Sequence, residues 1–158
     1  MKAQPITLPS GYSVFSDDIR DEIGGKKTLV GVYNNVLITN TEFPFIMPTF
    51  GLTTIIRHNP QKLPRSLKLQ IYFPGDDDNH PTIESPVPID KMSIQAEPSF
   101  SNEPDAQEVI SLTMHLRLSP LQIKQAGWIK VRAIYGRKKI RLGALLIRRN
   151  LDIQSSTE

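Results

Sequence analysis

A chain of 158 residues with 39% hydrophobic and 22% charged side chains has material for one ordinary core and too little for two. It contains no cysteine, which excludes a disulfide framework, a thiol nucleophile and a cysteine-ligated zinc or iron–sulfur centre. The formal net charge is +3 but uneven: residues 1–108 carry 9 Lys and Arg against 14 Asp and Glu, and residues 109–158 carry 10 against 2.

The chain opens with MKAQPITLPSGYS, which has one lysine and no apolar run of signal-peptide length. No later segment approaches the ~20 apolar residues that cross a bilayer. The expectation is a soluble, cytoplasmic protein with one domain over residues 1–151 and a disordered tail over 152–158.

The first distinctive stretch is SDDIRDEIGGKKTLVGVYNN, from Ser16 to Asn35. A phosphate-binding loop needs a glycine, four residues and then Gly-Lys-Ser/Thr. Here Lys27 stands where the hydroxyl belongs and Arg20 where the first glycine belongs. An EF-hand fails as well, because Asp17, Asp18 and Asp21 do not alternate and no glutamate closes the loop. The residues read instead as a turn: Asp17 and Asp18 bond their own backbone, Gly24-Gly25 reverses the chain, and the lysines keep the next strand's start wet. Ile19 and Ile23, four apart before the glycines, leave one exposed turn of helix as an alternative.

Next, TLVGVYNNVLITN suggests a hairpin in which Asn34-Asn35 supplies the positive φ of a two-residue turn, pairing Tyr33 with Val36 and Val32 with Leu37. LKLQIYF alternates, with Leu67, Leu69, Ile71 and Phe73 on one face and Lys68, Gln70 and Tyr72 on the other.

Six of the 13 prolines then fall between Pro74 and Pro104, which breaks that passage into loops and short edge strands such as KMSIQAEP. Ile83, Val87, Ile89, Ile94 and Phe100 recur through it, so it is not a flexible linker. Within it GDDDNHP offers Asp76, Asp78, Asn79 and His80, an oxygen-rich set of the kind calcium or magnesium prefers. A solvated turn explains the same residues. No metal or other cofactor is expected, since His58, His80 and His115 are scattered and show no ligand spacing.

LTMHLRL repeats the alternation, turning Leu112, Met114, Leu116 and Leu118 inward and Thr113, His115 and Arg117 outward. SPLQIKQAG is the best helix candidate, with Ser119 as cap, Pro120 at the first position and Gly127 at the exit. It reads as a short crossover helix.

WIKVRAIYGRKKIRLGALLI reads as a hairpin with a four-residue loop, Gly136 to Lys139, which pairs Tyr135 with Ile140, Ala133 with Leu142, Val131 with Ala144 and Ile129 with Leu146. That register turns Lys130, Arg132 and Arg141 outward together with Ile134, Leu145 and Ile147. Arg137, Lys138 and Lys139 cap the tip, and Arg148 and Arg149 follow its end. A mixed basic and apolar outer face is either covered or offered to a partner. Edge lysines and arginines also serve a protective role against sheet-to-sheet aggregation.

The residues Asp17, Asp18, Arg20, Glu22, Gly24, Gly25, Lys26, Leu29, Gly31, Val32 and Tyr33 resemble the N-terminal signature of an uncharacterised bacterial family, a domain of unknown function with small, β-rich, cytosolic members. GWIKVRAIYG near the C-terminus adds weaker likeness. The resemblance implies a similar β-sandwich and no known enzymatic activity.

The residues and the resemblance together favour an all-β protein: an antiparallel β-sandwich of seven to nine strands, Ig-like or C2-like, with one short crossover helix. No Gly-x-Ser-x-Gly elbow occurs and no acidic pair is singled out, so the chain is not read as an enzyme. The expected function is a non-catalytic binding or accessory module. Its partner-binding set would be Asp17, Asp18 and Arg20 on an acidic loop, and Lys130, Arg132, Arg137, Lys138, Lys139, Arg141, Leu145 and Ile147 on a basic hairpin. The partner would be a protein or a second copy of the chain, and no membrane. Nucleic acid bound by the same cations is the first alternative, and a hydrolase with a dispersed site the second.

Overall fold

Alternating side chains fold into strands throughout. The computed structural model describes residues 7–89, 95–96 and 109–150. In chain order its strands are β1 (Ser10–Asp21), β2 (Lys27–Val32), β3 (Val36–Thr39), β4 (Phe45–Met47), β5 (Phe50–His58), β6 (Leu67–Tyr72), β7 (Ile83–Pro86), β8 (Gln95–Ala96), β9 (Ile110–Leu118), β10 (Leu121–Ile123), β11 (Gly127–Tyr135) and β12 (Lys138–Arg149). One five-stranded sheet runs β2-β1-β5-β9-β8 and a second runs β3-β12-β11-β6-β7, with β10-β4 as a small ribbon. All pairings are antiparallel except β3 beside β12. The expected tail over 152–158, Ile94, Phe100 and most of KMSIQAEP lie outside the described residues.

One core draws on both large sheets. Phe15, Phe50, Leu52, Ile56 and Leu112 come from the first, and Leu67, Ile71, Ile129, Val131, Leu142, Leu145 and Ile147 from the second. Burying each such aliphatic or aromatic side chain contributes about 1.5–3 kcal/mol before conformational entropy is counted. The alternation of LKLQIYF is realised, with Leu67, Leu69 and Ile71 buried. That of LTMHLRL is too, with Leu112 buried and Thr113, His115 and Arg117 exposed.

Four expectations need correction. The charged N-terminal stretch is strand and not turn: Asp17, Asp18 and Arg20 belong to β1, and Ile19, 6% exposed, is held in the core opposite Leu29. Gly24-Gly25 keeps its expected role, with φ of 81° and 76° and a bond from the Glu22 N–H to the Lys26 carbonyl at 2.9 Å; Asp18 Oδ1 accepts from the Ile19 N–H at 2.9 Å, and Lys26 and Lys27 are exposed where β2 begins, both as expected. Ile23, 99% exposed, points away from Ile19, so no helical turn forms there.

Asn34-Asn35 does not close a hairpin. Asn35 has the expected positive φ, 81°, but the bend carries the chain from one sheet to the other. The Tyr33 N–H bonds the Phe15 carbonyl, and the Leu146 N–H bonds the Asn35 carbonyl, each at 2.9 Å. Leu37 is thereby buried beside Ile147 rather than facing the half-exposed Val32.

The crossover helix is absent. Leu121 and Ile123, two apart with exposed Gln122 between them, form β10 against β4, and Ile123 is fully buried. Burial of two side chains on one strand face outweighs the cap and exit residues, which serve a tight turn equally well.

The β11–β12 register also differs. The turn has two residues, Gly136-Arg137, with Tyr135 opposite Lys138 and Ala133 opposite Ile140. Gly136 takes φ 61°, the positive value a type II′ turn needs at its first central position. Beyond Arg132 opposite Arg141 the register shifts, so that Val131 faces Gly143 and Ile129 faces Leu145. Leu142 is the extra residue of a β-bulge, and Gly143, at φ 142°, is the backbone position that lets the strand resume. The bulge inverts the alternation. Leu145 and Ile147 therefore face the core at 0% exposure, and neither is available to a partner or a second copy.

Candidate functional site

On the outer face of the second sheet, β11 presents Trp128, Lys130, Arg132 and Ile134, while β12 presents Arg141, Gly143, Ala144 and Leu146. The bulge shapes the surface. Gly143 and Ala144 are too small to fill the space between the larger side chains, and a cavity of about 480 Å³ opens there, lined by Trp128, Lys130, Arg132 and Arg141. Trp128 is 47% exposed at its rim.

A neighbouring loop supplies the opposing charge. Asp78 Oδ1 lies 2.7 Å from Arg132 Nη2 and 3.5 Å from Lys130 Nζ, and the Asp78 carbonyl accepts a bond from Lys139 Nζ at 3.4 Å. The hydrogen bond and charge of Arg132, reinforced by Lys130, hold the Asp78 carboxyl below its ordinary range. The Arg132 guanidinium stands 4.6 Å from the centre of the Tyr72 ring and Lys139 Nζ 5.7 Å from it, both within cation–π range. Tyr72 is consequently 1% exposed although it points outward, and its hydroxyl donates to Gln70 Oε1 at 2.9 Å. Arg141 has no acidic partner among the described residues. Around the cavity four cations stand against one carboxylate, and further along the face Lys68 pairs with Glu84 at 2.8 Å, so the face is positive.

The three consecutive aspartates of GDDDNHP diverge. Asp76 accepts bonds from the Phe73 N–H at 2.9 Å and from the Thr82 N–H at 2.8 Å and hydroxyl. Burial pushes its carboxyl up, but these bonds outweigh it and leave the group below the ordinary value. Asp77 receives the N–H groups of Asn79 and His80 and lies 2.7 Å from His80 Nδ1. Asp78 turns to the basic face. Among the described residues no three His, Asp or Glu side chains gather as a metal site.

Asp17, Asp18 and Arg20 lie on the other sheet. Asp18 pairs with Arg117 Nε at 2.9 Å and Arg20 Nε at 3.7 Å, the Tyr33 hydroxyl donates to Asp17, and Asp21 pairs with Lys27. Burial first, then the bond to Asp17 and its charge, push the Tyr33 hydroxyl up. These contacts tie β1, β2 and β9 together and do not form an acidic surface opposite the basic one.

The basic set itself divides in two. Lys130, Arg132, Lys139 and Arg141 surround the Trp128 cavity. Arg137 and Lys138 instead line a separate cavity of about 380 Å³ at the hairpin tip, beside His58 and Lys62. His58 is missed by sequence reasoning, because a histidine ending an apolar strand carries no local mark of its surroundings. Trp128 is also absent from the sequence-derived set, although its two-residue spacing before Lys130 and Arg132 was the available signal.

Burial pushes the His58 imidazole down, and loss of hydration followed by the charge of Lys27 acts on His115 in the same direction. In the unfolded chain both take up a proton near pH ~6.5, before the folded chain does. Stability is therefore complete above that pH and declines as the pH falls below it. Urea midpoints should drop between about pH 7 and pH 5. A midpoint constant across that interval would show His58 protonating freely in the fold.

Taken together these features define a class: an all-β domain with an open basic cavity on one sheet face and, among the described residues, no helix long and apolar enough to cross a membrane. A family model described as a family of unknown function, DUF6941, matches residues 11–141, and the chain belongs to that family. No curated protein and no solved structure matches the chain.

Proposed function

We propose that the chain is a non-catalytic binding module, a mostly antiparallel sandwich with Ig-like or C2-like layering acting in the cytoplasm, and that it takes an acidic segment of a protein partner on the outer face of its second sheet. The observation that carries this reading is the Trp128 cavity, in which an exposed indole stands beside Lys130, Arg132 and Arg141, with Asp78 paired to Lys130 and Arg132. An aromatic anchor within a ring of cations suits a peptide that combines acidic and apolar side chains. Among the described residues the cavity's lining has no carboxylate, histidine or hydroxyl.

Nucleic acid is the second reading, and the same indole favours it, since a stacking platform beside cations is what single strands use. The sequence has one tryptophan, so fluorescence excited selectively at tryptophan reports on this site. Titration with an aromatic-containing polyglutamate peptide at low salt should change Trp128 emission, and Arg141→Glu should weaken that response roughly tenfold or more. An oligonucleotide that binds more tightly, with a steep salt slope, would transfer the site to the second reading. Unchanged emission with both ligands would refute the site.

A further inference from the structure

The positive face of the second sheet already holds one carboxylate, and its contacts are one-sided. Asp78 Oδ1 lies 2.7 Å from Arg132 Nη2, but the Arg132 side chain is 13% exposed and that of Asp78 67%. Arg132 is held without Asp78, because its guanidinium stands over the ring of Tyr72, itself 1% exposed. The loop is held without the Asp78 carboxylate, because the Asp78 carbonyl accepts from Lys139 Nζ and Asp77 receives the N–H groups of Asn79 and His80. Turning the Asp78 side chain into water therefore breaks neither the stack nor these anchors, and an ion pair with so exposed a member contributes little to stability.

Arg132 and Arg141 are direct cross-strand partners. Like charges placed opposite one another on adjacent strands are unfavourable, and Asp78 relieves one member of the pair only: it contacts Arg132 and Lys130, while Arg141 has no acidic partner among the described residues. An open cavity of about 360 Å³ lies at the pair, lined by Asp78, Asn79, Arg132, Lys139 and Arg141, and it shares both arginines with the Trp128 cavity. A carboxylate entering there meets two guanidinium forks where Asp78 meets one.

We propose that Arg132 and Arg141 form the anion seat of this face, that a single carboxylate of a peptide ligand bridges them, and that it does so by displacing Asp78, which occupies half of the seat in the free chain. The proposal rests on the reading of the outer face as a site for an acidic segment, and adds to it the seat, the number of acids and a residue that opposes binding. Asp78 acts as a specificity determinant: a ligand with an apolar group alone leaves it in place, and an acid must outcompete it. Trp128 and Arg132 lie four residues apart on β11, about 13 Å at the rise of a strand, so an extended ligand matches them with an aromatic residue and an acid four positions apart.

The test is a titration of the full chain, followed by Trp128 emission, with a peptide carrying one phenylalanine and one glutamate at that spacing, and with the same peptide bearing glutamine for glutamate. Asp78→Asn keeps the shape of the side chain and removes the competing charge. It should tighten the acidic peptide roughly fivefold or more and leave the glutamine peptide unchanged. Glu84→Gln controls for the general field of the face, since Glu84 is opposite Gln70 in the same cross-strand row as Arg132, and it should change the affinity less than about twofold. Arg141→Gln should weaken the acidic peptide roughly tenfold in the parent and in Asp78→Asn alike. If the parent binds the acidic peptide but Asp78→Asn binds it no more tightly than Glu84→Gln does, the displacement is overturned and the binding face stands. If the parent and Asp78→Asn bind neither peptide, the face and the seat are refuted together.

Discussion

Leu145→Ala is expected to remove about 2–5 kcal/mol of unfolding free energy, and Leu146→Ala less than about 1 kcal/mol. The two leucines are adjacent and chemically identical, so composition and local propensity cannot separate them. The bulge separates them. Leu145 faces the core at 0% exposure opposite Ile129, whereas Leu146 points to the outer face beside Val36. Truncating Leu145 leaves a cavity among buried neighbours from two sheets, which adds to the transfer loss. Urea denaturation of the two variants decides the matter. Equal costs, or a larger cost at Leu146, would restore the uninterrupted register and with it an outward Leu145. A charged side chain at 145 should by the same reasoning unfold the chain, not dissociate a dimer.

That pair also shows where the sequence runs out as a guide. Ile129, Val131, Ala133 and Tyr135 alternate without a break, and all four are buried, because a strand with one face in the core must repeat at two residues. On β12 the same pattern passes through Gly143, and the residues that reach the core are Leu142, then Leu145 and Ile147. A glycine inside a strand is the available signal for such a break. Continuing the alternation through it misplaces every later side chain. Asn34-Asn35 fails for a different reason. Its positive φ is legible, but a bend that closes a hairpin and one that crosses between sheets have the same local chemistry. The choice is made by β12, more than a hundred residues further on, which accepts β3 as a parallel neighbour.

The candidate site follows the same division. Lys130 and Arg132 were legible as outward neighbours because β11 alternates without interruption, and Arg141 because it precedes the extra residue of the bulge on β12. The cavity between them was not, since it exists only where the bulge puts Gly143 and Ala144 on the outer face. Nor was the counter-charge. Asp78 reads in sequence as a member of an acidic run, and its contact with Arg132 is set by the folding of the loop after β6. A surface that reads as a uniform basic hairpin is in the fold two distinct places, one around an indole and one around a buried imidazole.

Gly11→Ala is the second substitution expected to have a large effect, at about 1–3 kcal/mol. A Cβ at Gly11 would collide with the Ile55 carbonyl on β5 and come within 2.7 Å of Leu142 Cδ2 and 3.2 Å of Ile56 Cα. Two of these are backbone atoms of the strand to which β1 is paired, so they cannot move without lengthening the ladder. The third belongs to the bulged residue of the other sheet. The absent side chain at Gly11 is thus the space that Leu142 enters, and the close approach of β1 and β12 depends on both. A double-mutant cycle tests this coupling. Leu142→Ala alone should be destabilising through its cavity, but in its presence Gly11→Ala should cost less than in the parent, because the side-chain part of the collision is gone and only the contact with β5 remains. Strict additivity of the two losses in urea denaturation would mean that Gly11 and Leu142 do not share one space, and the bulge would then need another reason to point inward.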